Sequence, residues 1–176
     1  GLGMDENIKE AVVALVLNGL NTEASCGGHI EENEVRLPWV QIAAEGMPVY
    51  RYAGEKEIRE EIMRKYDLKS ERDLFFSETE AGKEYHLKTH DSEDSPEWKN
   101  WLQENEKVRK EIQLLLDEFY KEKNDEHRLV IGRAYPVWVI CPDEKILENK
   151  SLEEQKEILA EIQKEFDILT KFLKER

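Results

Sequence analysis

The chain has 176 residues, 39% of them hydrophobic and 38% charged, which suits one domain (residues 4–176) around a single core. Its 26 basic and 40 acidic residues leave a net charge of −14, and no Lys/Arg cluster is free of interleaved acids. Nucleic acid is therefore not expected as a partner, since such binding draws most of its affinity from neutralised phosphates. The longest apolar run, Ala11–Leu17, is far shorter than the ~20 residues of a membrane span, so no membrane partner is expected. No secretory leader is visible and there are only two cysteines, so a reducing cytoplasm is the expected compartment. Gly1-Leu2-Gly3, ahead of Met4, reads as a cloning remnant.

Ile8–Leu20 is expected to be a helix. Ile8, Val12, Leu15 and Val16 recur at helical spacing, Val13 and Leu17 widen the face to two buried sides, and Gly19 is placed to end it. The stretch "NTEASCGGHI" then reads as a loop. Val35–Ala43 reads as a strand in which Pro38, having no N–H, marks an edge or a bulge. Residues 55–66 carry Ile58, Ile62 and Tyr66 at helical spacing. The path of residues 67–95 is the least determined, and a mobile segment fits it. Ser70-x-x-Asp73 and Ser77-x-x-Glu80 suggest short capped turns there. Ser95 as N-cap and Pro96 at the first helical position open a long helix to about Lys123. Residues 126–144 read as a hairpin of Arg128–Gly132 and Val137–Cys141 closed by Pro142. Ser151 with Glu154 caps a last helix whose Leu159, Ile162, Phe166, Leu169 and Leu173 form a packing seam. The class is α+β: about three strands, at least partly antiparallel, against about four helices, two of them long and lying side by side.

The order of a helix, "LNGLNTEASCGGH", "LPWVQI", and "LLDEFY" before "HRLVI" resembles a group of small uncharacterised bacterial proteins. They carry a Ser-Cys-x-Gly-His loop followed by Pro-Trp-Val. The resemblance covers most of residues 8–140 and implies the architecture, not an activity. More distantly, the helix followed by "LN" and "T-x-x-S-C-x-G" is similar to the opening of the tRNA wyosine-forming methyltransferase family, which has an arginine where this chain has His29.

The chemistry-bearing string is Ser25-Cys26-Gly27-Gly28-His29. In a functional reading Cys26 is a nucleophile or ligand contact and His29 its base or a hydrogen-bond donor. The amides of Gly27 and Gly28 cradle an anion, with Ser25 and Trp39 as further contacts. In the plainer reading the glycines only turn the chain and Cys26 packs as a small hydrophobe. No cofactor is expected. The alternative is zinc held by Cys26, His29 and Cys141, with His86 and His90 at helical spacing as further imidazoles. A Cys26–Cys141 disulfide does not suit a reducing compartment. The tryptophans are expected in the core, and the acids of 71–97 on a solvated face.

Two functions follow. One is a cytoplasmic protein with a small-molecule or anion pocket at residues 25–29. The other is a non-catalytic protein–protein interaction module that uses the long amphipathic helices. A binding or structural role is favoured, because the spacing identifies no acid or base partner for His29. Whether the chain is an enzyme stays open.

Overall fold

The computed structural model describes residues 5–123 and 128–176. Gly1-Leu2-Gly3, expected to be a cloning remnant, and residues 126–127 of the expected hairpin segment lie outside them. The described residues form an α+β fold of five α-helices, a four-stranded antiparallel sheet and a separate two-stranded ladder. They group into two compact units, one of residues up to 45 with 104–176, the other of residues 46–103.

The first unit opens with α1 (Glu6–Leu17), which buries Ile8, Ala11, Val12, Ala14 and Leu15. Gly19, at φ +85°, ends it as expected. Its N–H donates to Val16 O, and that of Leu20 to Leu15 O, the paired bonds of a left-handed C-terminal cap. The expected second buried side is absent. Val13 and Leu17 are 44% and 78% exposed, and Val16, expected on the first face, is 50% exposed, because the principal neighbours of α1 are α5 and β1.

The presumed loop after α1 is two strands, β1 (Thr22–Cys26) and β2 (His29–Glu31), joined by Gly27-Gly28. The expected single strand 35–43 is also two. β3 (Glu34–Arg36) turns back on β2, pairing Arg36 with His29. β4 (Trp39–Ile42) enters the larger sheet, whose order is β1-β4-β6-β5. Pro38 therefore makes neither an edge nor a bulge. It stands at the corner between two ladders, where its missing N–H is not needed, and β4 is an inner strand. The register irregularity falls instead in β1, between Thr22 and Ala24.

The hairpin forms as expected from β5 (Leu129–Ala134) and β6 (Val137–Pro142). Val40, Ile42, Leu129 and Ile140 lie in one apolar cluster with side chains of α1, α4 (Pro96–Phe119) and α5 (Leu152–Glu175). The α5 seam Leu159, Ile162, Phe166, Leu169 and Leu173 is buried throughout, so it is covered within the chain. Its main neighbours, however, are α1 and β3 rather than α4. Phe119 of α4 meets α5 at Phe172, with ring centroids 5.3 Å apart. The Ser151–Glu154 capping box is present in full.

The 46–103 unit contains α2 (Glu55–Lys65), α3 (Glu80–Thr89) and the start of α4. Ser70 caps a short 3-10 turn, while α3 is capped by Thr79 rather than Ser77. Buried Glu55 organises this unit. It accepts from the N–H groups of Arg51 and Tyr52, the Arg59 guanidinium and the Tyr85 hydroxyl. Burial alone would raise the Glu55 pKa, but the donors from Tyr85, Tyr52 and Arg59 outweigh it and hold the carboxyl below its usual value. Burial, and then the bond to Glu55, pushes the Tyr85 phenol up to about 12.

Candidate functional site

The two-glycine link determines how far apart the last residue of β1 and the first of β2 stand. Cys26 pairs with Trp39 and His29 with Arg36, so each is anchored by its own ladder. Gly28, at φ +73°, makes the bend between them. A Cβ at Gly28 would lie 2.7 Å from Leu159 Cδ1, 2.9 Å from Pro38 Cδ and 3.0 Å from Arg36 O, so neither the conformation nor the space admits a side chain.

The link brings Cys26 Sγ to 3.6 Å from His29 Nδ1. The other ring nitrogen, Nε2, lies 3.1 Å from Glu31 Oε1. His29 and Glu31 are two apart on a strand and so share a face. Asp5 reaches the same place from the opposite direction. It occupies the N-cap position of α1 but makes no capping bond. Instead its Oδ2 accepts the Gly27 N–H at 2.9 Å. One ligand atom each from Asp5, Cys26 and His29 lie within 4.8 Å of one another. On the far side, Gln163 of α5 donates from Nε2 to Gly27 O (2.9 Å) and Gly28 O (3.2 Å).

Several expectations change in this geometry. The anion cradle is in part already filled, since the Gly27 amide holds the protein's own Asp5 carboxylate. Ser25 pairs with buried Val40 and so lies on the opposite face of β1 from Cys26. Trp39 does adjoin the site, lining with Cys26, His29, Arg36 and Cys141 a groove of about 610 Å³. Cys141 is not among the converging ligand atoms. The β4–β6 register sets it beyond Trp39, and two strand spacings separate it from Cys26 by roughly 10 Å. That also exceeds the reach of a disulfide, and neither cysteine is in one. His86 lies on α3 and His90 just past its end, in the 46–103 unit, and neither belongs to the cluster. Trp98 and Trp101 are buried as expected, and Trp138 packs against the core and donates to Asn105 O.

Asp5, Glu31 and Gln163 complete the arrangement and were not singled out from sequence. Only Glu31 carried a local signal, the His-x-Glu spacing on a strand. Arg36 lies 3.8 Å from Glu31 and 3.5 Å from Glu34, so the strand carboxylates have a counter-charge of their own. No family model, curated protein or solved structure matches the chain.

Proposed function

We propose that the β1–β2 junction binds a divalent cation of the zinc class through Asp5, Cys26 and His29. The observation that carries this reading is the convergence of a carboxylate, a thiol and an imidazole within 4.8 Å, none of them positively charged as a ligand. Bonds of about 2.3 Å to sulfur and 2.0–2.1 Å to nitrogen, at tetrahedral angles, imply a sulfur–nitrogen separation of about 3.5 Å. The 3.6 Å between Cys26 Sγ and His29 Nδ1 fits that value. The second shell fits as well. A metal-bound imidazole usually donates its remaining N–H to a carboxylate, and Glu31 stands beside Nε2.

Three protein ligands are one fewer than a closed structural zinc site uses, which supports an open site with a place for water or a ligand atom. When bound, such an ion acidifies water and polarises carbonyl or phosphoryl oxygens. The residues' own part is to hold the ligand set. Asp5 is fixed by Gly27, His29 is oriented by Glu31, and the groove beside Trp39 offers room for a small molecule.

One observation favours a second reading. Cys26, His29 and Glu31 form a chain of nucleophile, base and orienting carboxylate. The same geometry weakens it: the Gly27 amide, a natural oxyanion donor, is engaged by Asp5. Burial of the α5 seam takes those five side chains away from the interaction-module reading.

The test is a Co²⁺ titration followed by absorption. The proposal expects a sulfur-to-metal charge-transfer band and intense visible bands of a tetrahedral ion, both absent in Cys26→Ser. Weak octahedral bands, unchanged by Cys26→Ser, would overturn it.

A further inference from the structure

We propose that Gln163 is the positioning residue of this site: from α5 it fixes the Gly27-Gly28 link, and so the bite between Cys26 and His29. The inference rests on the metal reading for its affinity readout only. Two successive glycines form the least constrained link a chain can have, yet the Cys26–His29 separation is useful only if that link holds one conformation. Strand pairing fixes the residues on either side of the link, but not the peptides within it.

Those peptides are held from two directions. Asp5 takes the Gly27 N–H, and Gln163 Nε2 donates to the carbonyls of both glycines. A primary amide nitrogen carries two donors and no charge, so one side chain can serve two carbonyls without adding a cation beside the ligands. Leu159 lies one turn earlier on the same helix face and closes against the Cα of Gly28. Together, Leu159 excludes a side chain from the bend and Gln163 ties down its oxygens. The residue is 136 positions from Gly27 and makes neither of these contacts to a ligand atom, so its effect reaches Cys26 and His29 through the backbone.

The experiment compares wild type with Gln163→Met, which keeps length and helix preference but removes the donors. Gln163→Lys restores a donor. Two quantities are read: Co²⁺ affinity, and amide hydrogen exchange of Gly27 and Gly28 in metal-free protein. The expected result for Gln163→Met is a 10–100-fold loss of affinity, the usual range for second-shell changes. Faster exchange is expected at residues 27–29 with α5 amides unchanged, and Gln163→Lys should recover the exchange protection but not the affinity, because it places a cation beside the ligands. Unchanged exchange at Gly27 and Gly28 in Gln163→Met overturns the inference. So does exchange that rises equally along α5, which would mark a role in helix packing alone. If wild type binds no Co²⁺ the metal reading fails, and the metal-free exchange still decides the role of Gln163.

Discussion

Replacing Gly28 by alanine tests whether the bend between β1 and β2 is as constrained as its surroundings indicate. At φ +73° a Cβ costs about 1–2 kcal/mol. The new methyl would also press on Pro38 Cδ at 2.9 Å and Arg36 O at 3.0 Å, neither a flexible side-chain end, and on Leu159 Cδ1 at 2.7 Å. Overpacking of this kind costs about 1–3 kcal/mol. Alanine recovers about 0.4–1 kcal/mol by restricting the unfolded chain. The net expectation is a loss of about 1–5 kcal/mol, read from urea denaturation by circular dichroism. Gly27→Ala is the control. It has no positive φ, and its Cβ would meet side-chain atoms, Asp5 Cβ at 3.0 Å and Asn7 Cβ at 3.2 Å. Those Cβ atoms are fixed by the backbone, so it should carry an overpacking cost of about 1 kcal/mol without the conformational one, while moving Asp5 and weakening metal binding. A Gly28→Ala loss no larger than that of Gly27→Ala would refute the reasoning.

Phe166 is 1% exposed, and Phe166→Ala should lose about 3–5 kcal/mol at every protein concentration. A folded Phe166→Ala variant with half the light-scattering mass of a dimeric parent would contradict burial within the chain. In the 46–103 unit, Tyr85 titrates higher folded than unfolded, so its contribution is complete below pH 10 and lost as pH rises towards about 12. Glu55 is lowered, so its contribution is present above its ordinary value of 4.5 and lost as pH falls through the folded value. Urea midpoints across pH should show both limbs. Tyr85→Phe should flatten the alkaline one, and an unchanged alkaline limb would rule out this assignment.

Elements specified by local chemistry were legible in the sequence. The Ser151–Glu154 box, the Ser95-Pro96 start, the Gly19 stop and the α5 stripe each depend on residues within a few positions, and each formed. The misreadings were tertiary. Val13 and Leu17 looked like core because periodicity counts apolar residues, not the helices available to cover them. Pro38 looked like an edge because the handover between two ladders cannot be seen in one strand's pattern. At the site, Cys26 and His29 were visible from spacing. Asp5 was not, since its approach depends on how α1 is laid against β1, nor was Gln163, which arrives from 136 residues away. Cys141 was drawn into the zinc alternative by residue type alone, although β4 stands between the two cysteines.

The most direct test of the account is zinc stoichiometry by equilibrium dialysis of wild type, Asp5→Asn and Cys141→Ser. Asn keeps an acceptor for the Gly27 N–H and removes the charged ligand, while Cys141 lies outside the proposed set. The account predicts close to one equivalent for wild type and Cys141→Ser, and a loss of at least tenfold in affinity for Asp5→Asn. No binding by wild type, or equal binding by Asp5→Asn, would contradict it.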